Sequence, residues 1–498
     1  MAIYHLTAKV ISRARGQSMI AAAAYRSGSA LRDEHYGLTH NYTRRRAGAH
    51  CEIMSPAGAP DWVQDREALW NRVEAVERRK DSQLARAIDI SLPAELSDAQ
   101  NVALLREYIA QEFVCKGMIA DFCIRRDPAG NPHAHVLLTL REATPEGFGP
   151  KARHWNRKSN LLEWRSAWAE RANLHLARAG HAARIDHRTL EAQQIELTPG
   201  RQIGVGRGRH EEQALPRHVQ ERLAEQRRIA FENGATIVGD PSVAVRALCR
   251  QRPTFTREDL VQFLASRTGD AAQLDAALAA VLTSSELVAL ASEGGKPSRY
   301  TGQDMLDAKM SLMRRVAAMR TRCGHGLEPE LLRPVELLRP AEQPLHPPSA
   351  QPHALEYLVA EGDIKALAAA VDDAKAALLA QARELWERGG LRVLGVALSR
   401  AAAERLQASS GIHSLTLAAQ ESEWQQAEEP WSDRDVVVVD EAEMIGLKDL
   451  ERLLAVADRA RAKVVLVGDS GQLEAMGTVS PLWSILDEVG LSAAATLP

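Results

Sequence analysis

Asn131-Pro132-His133-Ala134-His135-Val136-Leu137-Leu138-Thr139-Leu140 is the stretch on which the fold of the first part of the chain turns. Side chains alternate along a strand, so His133 and His135 share one face. Val136, Leu138 and Leu140 take the other face, which suits a core. Two neutral imidazoles side by side can bind one divalent metal. The same pattern also describes two surface histidines, and by itself it leaves both open. Upstream, Ala87-Ile88-Asp89-Ile90-Ser91-Leu92 reads as another strand, and an apolar strand from Ala2 to Val10 opens the chain. Ser18 suits the N-cap of a helix running through the alanines to Tyr25, with Gly28 as its stop. Amphipathic helices lie between and after the strands, one of them around Leu161 to Ala179. Residues 1–200 thus read as one α/β unit.

The rest divides by composition. Gly200 to His210 is rich in Gly and Arg; no strand precedes it, so it reads as a linker rather than a nucleotide loop. Residues 201–252 are read as linker and helix. Residues 253–325 read as a small, mostly helical module, similar to a winged-helix-like segment, whose first helix Thr254 or Thr256 would cap. Residues 326–354 are proline-rich and repeat Glu-Leu-Leu-Arg-Pro from Glu330 and Glu336, an extended linker. In residues 355–498 helices alternate with buried-type strands, Val393 to Leu398, Val436 to Val439 and Val464 to Val467. That alternation argues a parallel sheet with covering helices.

A chain of 498 residues suits two to four domains at roughly 150 residues each. The net charge of -3 excludes a simple polycation, so a DNA-binding surface must be local. Basic residues cluster at Arg44, Arg45 and Arg46, at Arg78, Arg79 and Lys80, and at Lys151, Arg153, Arg157 and Lys158. Such clusters neutralise phosphates, or else form solvated faces. The cysteines are scattered without a CxxC pair, which indicates neither a zinc ribbon nor a disulfide framework. No signal peptide opens the chain and no apolar run is long enough for a bilayer. A soluble cytoplasmic protein without membrane insertion is expected.

Four segments together resemble the MobA/MobL family of conjugative relaxases, especially the long TraA-like members that carry a RecD-like helicase region. Ala2-Ile3-Tyr4-His5-Leu6-Thr7-Ala8-Lys9 is similar to the family's first strand, and Ala24-Tyr25-Arg26-Ser27-Gly28 to its nucleophile motif. Asn131 to His135 is similar to its metal motif, and Arg184-Ile185-Asp186-His187-Arg188 to its closing segment. The resemblance implies an antiparallel-sheet, HUH-type domain that nicks and rejoins plasmid DNA at the transfer origin. Tyr25 would be the nucleophile, forming a 5′-phosphotyrosyl link and a free 3′-hydroxyl without ATP. Tyr4, Tyr36 and Tyr42 lack its motif. His133 and His135 would hold manganese or magnesium, polarising phosphate oxygens. Free tyrosine has a pKa of about 10, so an acid such as Asp89 would orient or deprotonate it. The partners implied are single-stranded plasmid DNA, other relaxosome proteins and a coupling protein.

Two departures stand out. The family's third metal-binding histidine falls at Arg125, and a guanidinium repels a cation. Asp127, Cys123 or His5 would have to substitute, or the site is weak. Two family glutamates fall at Ala87 and Asp89, so one acid is gone. A DNA-binding protein with decayed nicking activity is the alternative these features support.

Near the end, Val436 to Val439 leads into Asp440-Glu441, which resembles the Walker B motif of a superfamily 1 helicase. Gly468-Asp469-Ser470-Gly471-Gln472-Leu473 resembles helicase motif III. The resemblance implies magnesium at Asp440, water activation by Glu441 and phosphate sensing by Gln472. The phosphate-loop lysine falls at Lys375. Ala369, Ala374 and Ala376 replace the glycines and hydroxyl, and Asp372 and Asp373 sit in the loop. Methyl groups and carboxylates oppose a phosphate cradle. Ala366 to Leu385 reads instead as one alanine-rich helix. A partial RecA-like domain without its second half, doubtful for ATP, is the expectation.

Overall fold

The structure is a computed structural model. It describes residues 4–45, 50–126, 130–193, 195–199, 217–290, 299–327, 351–369, 372–426, 431–469, 481–489 and 496–497. Two compact units result. The first comprises Met1–Leu176, Ala183–Val243 and Val261–Leu278, and the second Ala177–Ala182, Ala244–Leu260 and Ala279–Pro498. The Gly/Arg loop and nearly all of the proline-rich linker lie outside the described residues.

The first unit is built on β1 (Leu6–Ser12), β4 (His50–Met54), β5 (Gln83–Ser91), β6 (Ala120–Arg126) and β7 (Pro132–Leu138). They form a five-stranded sheet in the order β1-β5-β7-β6-β4, with every pair antiparallel. Of the strand expected at Ala2 to Val10, the part from Leu6 is observed and runs on to Ser12, while Ala2 and Ile3 lie outside the described residues. Two small hairpins, β2 (Ala30–Asp33) with β3 (Leu38–Asn41) and β8 (Arg141–Thr144) with β9 (Gly147–Lys151), lie apart from the sheet.

Helices cover both faces. Helix α1 (Met19–Ser27) starts where Ser18 accepts a hydrogen bond from the Ala21 amide, and ends at Gly28 with φ 63°. That positive φ suits glycine, which has no Cβ to clash. Small residues let α1 approach the sheet closely, so Ala23 and Ala24 pack with Ala85, Ala87 and Leu137. Helix α2 (Arg66–Val76) starts at Asp65, whose carboxylate accepts from the Glu67 and Ala68 amides. Its Glu74 accepts from the Met19 amide at 2.8 Å and from Arg13, which pins the start of α1. On the opposite face, α3 (Asp98–Glu112) and α4 (Lys158–Arg178) bring Tyr108, Phe113, Trp164 and Trp168 edge to face. Such aromatic contacts add to the gain from burial, and Arg86 stacks its guanidinium over Trp164.

Along the chain between the strands of the two sheets, Arg217–Gly239, Ser242–Gln251, Arg257–Ala265 and Ala271–Leu282 are helices, followed by β10 (Leu287–Leu290) and β11 (Arg299–Gly302). Thr256 takes the cap of Arg257–Ala265, its hydroxyl accepting from the Asp259 amide.

The second unit holds β12 (Ile364–Ala369), β13 (Arg392–Ala397), β14 (His413–Thr416), β15 (Asp435–Val439), β16 (Lys463–Asp469) and β17 (Thr496–Leu497). They form a six-stranded parallel sheet in the order β14-β13-β15-β16-β12-β17. Alternate residues feed two cores: Val437, Val439, Val464 and Leu466 into one, Val436, Val438, Val465 and Val467 into the other. Burial on both faces explains the uninterrupted valines.

One expectation is overturned here. Ala366 to Leu385 is not a continuous helix: β12 ends at Ala369 and the helix is Asp372–Arg388. Parallel pairing of Ile364 to Ala369 with Val464 to Asp469 outweighs the helical preference of the alanines.

Candidate active site on the antiparallel sheet

Strand register sets the candidate residues in transverse rows on one face. Cys51, Cys123, His135, Asp89 and Thr7 stand opposite one another across all five strands. The next row carries Arg125, His133 and Ser91, and the Ser91 amide donates to the His5 carbonyl. Further along the same face, Ala87 lies under α1 and is 2% exposed, so the place of the family's first glutamate is now core.

The two imidazoles lie 5.1 Å apart and nearly perpendicular. His135 Nδ1 meets Asp89 Oδ1 at 2.7 Å. A carboxylate on one ring nitrogen fixes the ring and leaves the other nitrogen to face outward. Asp89 also pairs with Lys9 at 3.5 Å. Burial raises the Asp89 carboxyl, but the His135 hydrogen bond and the charges of His135, Arg26 and Lys9 outweigh it and hold the group down at about 2. So weak a base is suited to orienting His135 and poorly suited to taking a phenol proton, the other role expected of it.

This shift has a consequence for stability. The unfolded carboxyl titrates near 4. The interaction therefore contributes fully above that pH and is lost as pH falls towards 2. Asp89→Asn is expected to cost roughly 1–2 kcal/mol at pH 7 in urea unfolding, a gap that narrows below pH 4. A pH-independent gap would contradict the assignment.

Tyr25 stands on the last turns of α1, 42% exposed, with its ring edge to face with Tyr42 at 5.4 Å. Its neighbour Arg26 turns inward. Burial lowers the Arg26 guanidinium's pKa, and the opposing charges of Asp89, Asp121, Cys123 and Tyr25 act on it. The Arg26 guanidinium thus lies within electrostatic reach of both the tyrosine and the histidine row, a role that the motif did not disclose. Helical periodicity separates Tyr25 from Arg26 by about 100°, and only the docking of α1 shows which of them faces in.

The substitutes for a third ligand do not assemble. His5 and His133 are two strands apart in the same row, about 10 Å. Cys123 is hydrogen-bonded to Cys51 and buried, and both effects drive its thiol far up, towards the neutral form. Asp127 lies outside the described residues. Among the described residues there is no group of three His, Cys, Asp or Glu side chains set to hold a metal.

The basic clusters differ. Arg44, Arg78, Arg79, Lys80 and Arg153 are exposed, and Arg79 is held by Asp81. Lys151 is engaged within the unit, with Glu77 at 3.0 Å and the Gln83 carbonyl at 2.7 Å. The Arg45 side chain and Arg46 lie outside the described residues.

In the second unit, Lys375 and Asp440 meet at 3.1 Å. Arg405, unremarkable in the sequence, pairs with Glu441 at 2.7 Å. Glu441 has φ 52°, the left-handed region that a side chain disfavours, and burial pushes its carboxyl up. Gln472 lies outside the described residues. No helix among the described residues is long and apolar enough to cross a membrane.

Comparison with known proteins defines the class first: residues 17–213 match the MobA/MobL family and residues 348–495 match an AAA domain. Mobilization protein MobL of Acidithiobacillus ferridurans is 38% identical over 46% of this chain and 69% of its own length. The chain belongs to the MobA/MobL family. Conjugal transfer protein TraA of Rhizobium radiobacter is 33% identical over the whole chain, which spans 48% of that relative. A solved structure described as "Molecular Basis of Vancomycin Resistance Transfer in Staphylococcus aureus" is 37% identical over 38% of this chain and 100% of its own, with a TM-score of 0.35.

Proposed function

We propose that this chain is a conjugative relaxase that nicks one strand of plasmid DNA at a transfer origin and holds its 5′ end on Tyr25. The observation that carries this reading is the His133, His135 and Asp89 constellation on the open end of an antiparallel sheet. Tyr25 Oη forms a bond to phosphorus as the bond to the 3′ oxygen breaks. The phenol gives up a proton and the departing 3′ oxygen gains one. Asp89 holds the His135 ring, and Arg26 brings positive charge beneath the developing phosphoryl charge.

Two imidazoles with a carboxylate behind one of them fit a divalent ion, manganese or magnesium, though as a pair rather than a trio. When bound there, the ion would polarise the non-bridging phosphate oxygens. Arg44, Arg78, Lys80 and Arg153 are exposed cations suited to the DNA backbone beyond the site. The other relaxosome proteins and the coupling protein follow from the family alone, as does a cytoplasmic site of action.

The test is incubation of purified protein and manganese with a single-stranded oligonucleotide from the transfer origin beside this gene. A covalent protein–DNA adduct on a denaturing gel is the expected result. DNA binding without an adduct, beside an active relative, would favour a decayed DNA-binding protein. The burial of Ala87 and the place of Arg125 are the observations on the side of that second reading.

In the second unit the lysine at the phosphate-loop place and the acids that would hold magnesium and activate water are already paired. Lys375 neutralises Asp440 and Arg405 neutralises Glu441. With Asp373 near the start of the helix in place of a glycine cradle, phosphate binding is opposed. ATP hydrolysis stimulated by DNA is expected to stay at background and to be unchanged by Glu441→Gln. A rate that this substitution abolishes would overturn the assignment.

A further inference from the structure

Two adjacent arginines at the end of β6 have different fates. Arg126 donates to Asp98 at 2.6 Å and to the Gly130 carbonyl at 2.7 Å. Arg125 stands directly across the ladder from His133, on the face that carries His135 and Asp89. Its Nε and Nη2 are buried, and among the described residues they have no hydrogen-bond partner. The acids on this side of the sheet are committed elsewhere. Asp89 takes His135 and Lys9. Asp121 takes Arg66 and Trp70. On the same face, Arg26 Nε is likewise buried without a partner.

A guanidinium whose Nε and Nη2 are buried with unmade hydrogen bonds is costly, and the cost is relieved by an acceptor that arrives from outside. An oxygen anion suits it best, because the planar fork matches two oxygens of one group. We propose that Arg125 binds a phosphodiester of single-stranded DNA directly, donating from Nε and Nη2 to its non-bridging oxygens beside His133. The inference rests on the relaxase reading above for its ligand. It deepens that reading by assigning to a fixed guanidinium part of the charge that a tightly held metal would supply. Phosphate capture then proceeds without metal, and a divalent ion at the histidine pair is held only weakly beside the guanidinium.

The experiment uses the full chain and a fluorescent single-stranded oligonucleotide from the transfer origin, in EDTA. Arg125→Gln is expected to weaken binding at least tenfold and to flatten the slope of log K against log salt by about 0.7, one contact on a single strand. Arg126→Gln, which removes the paired neighbour, should change affinity less than threefold. Removing a partly buried charge with two unmade donors should also stabilise the free protein, raising the unfolding midpoint of Arg125→Met by about 2–4 °C. In calorimetry with manganese alone, Arg125→His should bind the ion at least tenfold more tightly than the parent chain.

Equal losses in Arg125→Gln and Arg126→Gln, or none in either, would overturn the proposal. So would a lowered midpoint in Arg125→Met, which would make Arg125 a structural partner. Adduct formation is scored separately. An adduct with Arg125→Gln binding like the parent defeats this inference and leaves the relaxase standing. Arg125-dependent binding without any adduct does the reverse.

Discussion

Tyr25→Phe is expected to leave single-stranded DNA binding and folding intact and to lower strand cleavage by at least about a thousandfold, with no covalent product. The substitution removes only the oxygen that would attack phosphorus, so no other route to the phosphotyrosyl bond remains. Tyr25 is 42% exposed, and its ring contact with Tyr42 survives in phenylalanine. Stability should therefore shift by no more than about 0.5 kcal/mol. Tyr42→Phe is the informative control. Tyr42 is the nearest aromatic rival, and its loss should cost less than about fivefold if it only packs against Tyr25. The check is an oligonucleotide cleavage time course with both variants, read on a denaturing gel beside an anisotropy titration. Adduct formation by Tyr25→Phe at the parental rate would remove Tyr25 from the mechanism.

The second large effect is expected at His135. His135→Ala should lower cleavage about a hundredfold or more, because it removes an imidazole that would face the phosphate or its metal. Asp89→Asn should lower it about 10–100-fold, because Asp89 acts through the ring that it holds at 2.7 Å. A positioning role makes the two losses non-additive: with His135 gone, Asp89 has nothing left to orient. The double variant should therefore cleave at about the rate of His135→Ala alone. Rate constants for the two single variants and the double variant decide it. A double variant slower by the product of the single effects would give Asp89 an independent part, such as taking the phenol proton.

Much of the first unit was legible because its signals are local. Alternation placed His133 and His135 on one face and Val136 and Leu138 on the other, and Ser18 and Gly28 marked the ends of α1. The register that sets Asp89 against His135 was not legible, since it joins strands 46 positions apart in sequence. Nor was the contrast between Arg125 and Arg126, which depends on Asp98 of α3 falling within reach of Arg126 alone. Ala87 and Asp89 looked equivalent by spacing, yet α1 covers one and stops short of the other. In the second unit the valine strands were legible from composition, whereas Ile364 to Ala369 carried alanines that suit a helix. Only the partner strand β16 makes that segment extended. The ion pairs Lys375–Asp440 and Arg405–Glu441 likewise join residues far apart in sequence.

The claim that a tyrosine of α1 takes the DNA strand is tested most directly by mapping the covalent bond. The adduct formed with a transfer-origin oligonucleotide would be digested with nuclease and protease, and the peptide still carrying a nucleotide identified by fragmentation mass spectrometry. The account predicts a phosphodiester on the Tyr25 hydroxyl, linked to the 5′ side of the cleaved strand. A nucleotide on Tyr4, Tyr36 or Tyr42, or on a histidine of β7, would contradict it.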